Sequence, residues 1–196
     1  MVGTLGGVYS GPSRYDIRYD MWTARGSRLA DAEWVSETTT TGAPFTATSG
    51  RTYCLKATVR DRAGNAAAGW SGERCFAVPL DEAALARHGS WIRRTGRDGY
   101  YRGGFIQTRR HGAWARQQIV AKRLLLLATL CPRCGIVTVK WRGEVLKTID
   151  LERRVTRRSA LIPIASFADA ERGWIRLEVA SAGEKVRIDG LGTSAR

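Results

Sequence analysis

The sequence holds little histidine, little lysine and no long apolar run. Its two histidines, His88 and His111, accompany no nucleophile motif, and no G-x-S-x-G is present, so the common hydrolase constellations have nothing to build on. A glycine loop opening a helix to cradle phosphate is also missing, since Gly103-Gly104 is only a turn pair. The longest mostly apolar run, residues 124–130, falls far short of the roughly 20 residues needed to cross a bilayer. The opening Met1-Val2-Gly3-Thr4-Leu5-Gly6-Gly7 lacks the basic start and apolar centre of a secretory leader. One C-x-x-C occurs without a second Cys or His pair at ligand spacing, so neither a metal nor a cofactor is expected. No residue is assigned a catalytic role.

What is present describes a folded, basic chain. Seven tryptophans and 43% hydrophobic residues in 196 exclude disorder, and the length suits one large domain or two ordinary ones, at roughly 100 to 150 residues for a usual domain. The formal net charge is +14 and unevenly placed. Residues 1–79 carry nine basic against seven acidic side chains, and residues 80–196 carry 23 against 11. Such an excess favours anionic partners. Arginine outnumbers lysine 27 to 5, which the codon usage of a GC-rich genome also produces.

The cysteines set the strand pattern. In Thr52-Tyr53-Cys54-Leu55-Lys56-Ala57-Thr58-Val59-Arg60 apolar and polar residues alternate as in a half-buried strand, and Asp61-Arg62-Ala63-Gly64-Asn65 is turn chemistry. A hairpin folded about Gly64 and Asn65 sets Cys54 opposite Cys75, Tyr53 opposite Phe76 and Val59 opposite Trp70. A Cys54–Cys75 disulfide follows, worth roughly 3 kcal/mol by loop entropy. In Cys131-Pro132-Arg133-Cys134-Gly135 a redox site would need a helix after the first Cys, but Ile136, Val137, Thr138 and Val139 are strand formers. A second structural disulfide is expected there, closing a hairpin turn with Gly135 left-handed. Two disulfides imply an oxidising compartment, so the chain is expected to be secreted or exposed at the cell surface.

The stretch 80–89 interrupts the strand pattern and is read as a linker, with a helical turn capped by Asp81. Before it, Tyr15-Asp16-Ile17-Arg18-Tyr19, Trp34, Gly50-Arg51-Thr52-Tyr53-Cys54-Leu55, Asp61-Arg62-Ala63-Gly64-Asn65 and Trp70-Ser71 resemble bacterial fibronectin type III modules. A further strand is expected at residues 44–47. The resemblance implies a seven-stranded sandwich, of which two strands before Tyr15 are wanting, so the reading frame is expected to start late. After the linker, about eight short strand candidates spaced by glycine-rich turns predict a jelly-roll-like sandwich over residues 90–196, with one short helix near 167–172. This half resembles a C-terminal sandwich that follows fibronectin type III modules in secreted proteins of high-GC Gram-positive bacteria, through Tyr101-Arg102-Gly103-Gly104, Lys122-Arg123-Leu124, Cys131-Pro132-Arg133-Cys134-Gly135 and Val186-Arg187-Ile188-Asp189-Gly190-Leu191. The fold class is thus all-β: two sandwiches, fibronectin type III-like and then jelly-roll-like.

Binding has more candidates than catalysis. Tyr100, Tyr101 and Trp114 lie among arginines and offer flat faces for sugar rings, whereas Trp141 and Trp174 fall in strand patterns and are assigned to the core. Arg102 belongs to the first group, and Arg153, Arg154, Arg157 and Arg158 crowd what reads as one loop. Arginine interleaved with aromatics suits a phosphate- or carboxylate-bearing polymer. The oxidising compartment argues against nucleic acid, leaving an anionic wall polymer or polysaccharide. A non-catalytic extracellular binding or adhesion region is the expected function; the alternative is a structural accessory to a secreted hydrolase encoded upstream.

Overall fold

The computed structural model describes residues 14–23, 28–38, 45–60, 65, 67–68, 71–72 and 74–194, with residues 14–23, 28–38 and 59–60 described as backbone. The chain is all-β. Four strands, β1 (Arg14–Thr23), β2 (Arg28–Thr38), β3 (Arg51–Arg60) and β4 (Arg74–Ala77), form one antiparallel sheet in the order β2-β1-β3-β4. The β3–β4 register is the expected one: Cys54 faces Cys75, Tyr53 faces Phe76, and the disulfide is formed. The paired rings of Tyr53 and Phe76 stack at 5.5 Å, and Phe45 meets Tyr53 edge-on at 4.8 Å. Phe45 does this from irregular backbone, so the strand expected at residues 44–47 does not extend through 45–47. The hairpin turn 61–64, Trp70 and the residues before Arg14 lie outside the described residues.

The remaining strands make a second sheet of nine: β5 (Leu80–Asp81), β6 (Ala86–His88), β7 (Ile92–Arg94), β8 (Phe105–Thr108), β9 (Trp114–Leu130), β10 (Ile136–Trp141), β11 (Glu144–Asp150), β12 (Arg157–Val179) and β13 (Val186–Ser194). Its order is β11-β10-β12-β9-β13-β8-β7. β10 and β13 flank the β12-β9 pair, which in a flat sheet would hold them about 14 Å apart at about 4.8 Å per strand. Yet Gly135, just before β10, donates its N–H to the carbonyl of Lys185, just before β13, at 3.0 Å. The sheet therefore folds back on itself into a sandwich.

β9 and β12 make the fold possible. They pair with each other from Arg157–Leu130 to Glu178–Trp114, with register breaks between Ser166 and Glu171. Such breaks bend a strand and let it pass from one layer to the other. One layer uses their Trp114 and Glu178 ends in the order β6-β9-β12-β10-β11; the other uses their Leu130 and Arg157 ends with β13, β8 and β7. Between the layers lies one apolar core that includes Ile106, Leu124, Leu126, Val137, Val139, Ile175, Leu177, Val186 and Ile188. Burying a side chain of this kind contributes roughly 1.5–3 kcal/mol.

Several expectations require correction. Four of the eight strand candidates merge into two long strands, and the helix sought near residues 167–172 is the bend of β12. The stretch read as a linker is woven into the sandwich, since β5 pairs with β13 and β6 with β9. Asp81 does cap a turn there, accepting from the Ala83 N–H at 2.9 Å, but the turn is three residues of 3₁₀-helix. Cys131–Cys134 is bonded, although β9 and β10 are not partners, so the disulfide closes a crossover between layers rather than a hairpin. Arg133, not Gly135, takes the positive φ of that turn. Gly135 is needed for another reason: a Cβ there would overlap the hydroxyl of Ser181.

Candidate functional site

Strand alternation makes the site. Along Trp114-Ala115-Arg116-Gln117-Gln118 and Trp174-Ile175-Arg176-Leu177-Glu178, Ala115, Ile175 and Leu177 are buried in the core, while Trp114, Arg116, Gln118, Trp174, Arg176 and Glu178 point outward. Cross-strand register sets Arg116 opposite Arg176, and β10 adds Lys140 beside Arg176. Two guanidiniums side by side repel, and aromatic faces offset this. Arg116 lies over Trp114 at 4.8 Å and over Trp174 at 5.0 Å, and Arg176 lies over Trp114 at 4.9 Å. His88 stacks on Trp114 at 5.2 Å from the neighbouring edge strand.

Around this ladder Arg116, Gln118, Lys140, Arg142, Arg172, Trp174 and Arg176 line a shallow depression of about 690 Å³. Five cations meet two carboxylates: Glu178 takes Lys140 and Arg176, each at 3.0 Å, and Glu171 takes Arg142 at 2.9 Å. Arg116 forms no ion pair among the described residues, and the buried Nε of Arg176 has no hydrogen-bond partner among them. Trp174 is 47% exposed, which corrects its assignment to the core; Trp141, at 5%, is in the core as expected. Parity was the available signal, since Trp174 shares its face with Arg176 and Glu178.

The other candidate residues stand elsewhere. Tyr100 stacks on Phe105 at 4.2 Å, with the Arg158 guanidinium over the Tyr100 ring at 5.7 Å and Arg187 Nη1 donating to its hydroxyl at 3.4 Å. Tyr101 is structural: its hydroxyl donates to the Pro79 carbonyl at 2.9 Å, and burial raises its pKa. Arg102, at φ 50, pairs with Asp81 at 3.4 Å. Arg153 and Arg154 sit by Pro132 and Glu152 in a separate depression, while Arg157 and Arg158 begin β12. These four do not share one loop. The structure therefore brings none of Tyr100, Tyr101, Arg102, Arg153, Arg154, Arg157 and Arg158 to the Trp114 face.

A further cluster, apart from that face, lies where the first sheet meets the sandwich. Glu82 is fully buried, with Oε1 accepting from Arg93 at 2.8 Å and Oε2 unpartnered among the described residues. Burial raises its pKa, with Asp81 adding to the rise and Arg93 opposing it. Asp189 is equally buried and is pushed up to about 6, mainly by burial and further by Glu82, against the Ser159 hydroxyl that donates to it at 2.5 Å. Ser159, at φ 46, also accepts from the Tyr101 N–H at 2.9 Å. Both acids are enclosed, so this cluster offers no substrate a route to them. Among the described residues, no group of His, Cys, Asp or Glu could hold a metal ion.

No family model matches the sequence, and no curated protein does. Solved structures align with parts of the chain. A family two carbohydrate esterase from Cellvibrio japonicus matches 55% of this chain over 34% of its own length, at 10% identity and a TM-score of 0.41. An exo-beta-1,3-galactanase from Phanerochaete chrysosporium matches 78% over 34% of its length, at 13% identity and 0.46. An alpha-L-rhamnosidase from Dictyoglumus thermophilum matches 97% over 26% of its length, at 10% identity and 0.36. The chain thus spans about a third or less of each of these proteins.

Proposed function

We propose that this chain is a non-catalytic binding region of an extracellular protein, and that the Trp114–Trp174 face of its sandwich holds a polysaccharide bearing negative charge. The observation that carries this reading is the ladder of Trp114, Arg116, Trp174 and Arg176 on an open sheet face, where cations outnumber acids and a tryptophan stands half exposed. An indole face suits the apolar face of a sugar ring, and a guanidinium beside it suits that sugar's carboxylate or ester anion. A shallow depression fits a chain lying across it better than a small molecule enclosed. The two disulfides suit an oxidising compartment. In this reading residues 1–79 are a fibronectin type III-like spacer. The order β2-β1-β3-β4 agrees with one sheet of such a sandwich, where strands C, F and G lie together.

Electrophoresis through gels containing polygalacturonate or, as control, dextran tests this directly. The protein should be retarded by the first and not the second, and salt should weaken the effect. Trp174→Ala with Arg116→Ala should abolish retardation, while Arg153→Ala with Arg154→Ala should leave it intact. No retardation at low salt, or equal retardation of the Trp174→Ala, Arg116→Ala protein, sinks the proposal.

A further inference from the structure

Away from that face, four cations converge where the disulfide crossover meets the start of β13. Arg133 is on the Cys131–Cys134 turn, Arg109 follows β8, Lys185 directly precedes β13 and Arg187 is its second residue. Their convergence is fixed by backbone. Cys134 bridges to Lys185, Gly135 donates to the Lys185 carbonyl at 3.0 Å, and β13 runs beside β8 with Arg187 opposite Gln107. No ion pair involves any of the four among the described residues. Glu184, next to Lys185, is exposed and pairs with none of them.

Two of these cations are held in place by neutral groups. Arg187 donates from Nε to the Gln107 side chain at 3.2 Å and from Nη1 to the Tyr100 hydroxyl at 3.4 Å, and lies over Phe105 at 5.3 Å. Arg109 donates to the Gly183 carbonyl at 2.9 Å. Neutral acceptors orient a guanidinium without cancelling its charge, and each keeps spare N–H donors. The ammonium of Lys185 is held below its ordinary pKa, first by Arg187, then by partial burial, Arg109 and Arg133. Like charges gathered on the fold and oriented by neutral partners suit an anionic group.

We propose that Arg109, Arg133, Lys185 and Arg187 form a receptor for a tetrahedral oxyanion, a phosphate or sulfate ester group carried by a ligand. Several donors arriving from the turn, β8 and β13 suit three or more acceptor oxygens better than the two of a carboxylate. The site stands independently of the Trp114–Trp174 face.

NMR titration of the full chain with sodium phosphate, sodium sulfate and sodium acetate, at constant ionic strength set with chloride, tests it. Phosphate or sulfate should give saturable shifts centred on residues 107–109, 133–135 and 183–187, and the tighter of the two identifies the ester the site is built for. Acetate should bind at least about tenfold more weakly, for want of a third oxygen. Occupation should also raise the titration of the Lys185 ammonium. Arg187→Gln should weaken binding about tenfold, as loss of a charge-assisted bidentate contact does, and Arg133→Gln, on an exposed turn, provides a second variant if the first does not fold. Trp174→Ala should leave these titrations unchanged, so failure here and failure of the polysaccharide reading are separable. Absence of saturable shifts, equal binding of acetate, or indifference to both arginine substitutions overturns the proposal.

Discussion

At the junction with the first sheet, Glu82 and Asp189 are fully enclosed and share few partners, whereas on the outer face Arg116 stands in water beside tryptophan rings and Arg176, half-buried over Trp114, is paired with Glu178. The difference lies in which partner each charge is given. Enclosed carboxylates lose hydration and must recover it from one neighbouring residue, the Arg93 guanidinium for Glu82 and the hydroxyl and backbone of Ser159 for Asp189, so they tie stability to proton uptake. Exposed guanidiniums keep their hydration, so they cost little and remain ready for a ligand. Acids here organise the fold, and cations present a surface.

The sharpest break of this contrast is Arg93→Ala. It would strand Glu82 in the interior, and chemical denaturation should show a loss of about 3 kcal/mol. Nearly as large is the pH effect at Asp189. Its folded pKa, about 6, lies above the ordinary carboxylate value of 3.8, so its contribution is complete below that value and is lost as pH rises through 6. The native protein should therefore lose stability on the order of 2–3 kcal/mol more than Asp189→Asn does between about pH 4 and pH 7. Removing the short disulfide by Cys131→Ala with Cys134→Ala should cost about 2–3 kcal/mol in the same assay. Loop entropy alone gives about 2, and burial of both cysteines adds a packing loss. On the face, Trp174→Ala with Arg116→Ala should move stability by no more than about 0.5 kcal/mol while abolishing polysaccharide retention. A large loss of stability there would erase the distinction between the two regions.

Much of the fold was legible in alternation. The β3–β4 register followed from residue numbers alone, because a sulfur pair and an aromatic pair had to be satisfied together. The crossover at Cys131–Cys134 was not legible: a short turn between two strand-like runs reads as a hairpin, and only the insertion of β12 between them shows otherwise. The site was half legible. Trp114 and its arginines were visible, but Trp174 was given to the core because its strand was noticed and its parity was not. Asp189 and Glu82 could not have been brought together from sequence, since 107 residues separate them and neither stands in a catalytic motif. Gathering Arg153, Arg154, Arg157 and Arg158 into one loop failed because β12 begins at Arg157.

The two bent strands also govern the order of assembly. Neither layer is complete without β12, whose pairing with β9 joins residues as far apart as Trp114 and Glu178. A chain leaving the ribosome can close the β3–β4 hairpin early, but the leucine-rich part of β9, residues 124–130, stays unpartnered until residues 157–166 have emerged and gains its second neighbour only with residues 188–194. Such long-range pairing makes folding slow, and it leaves 124–130 as the segment most exposed to aggregation while the chain waits.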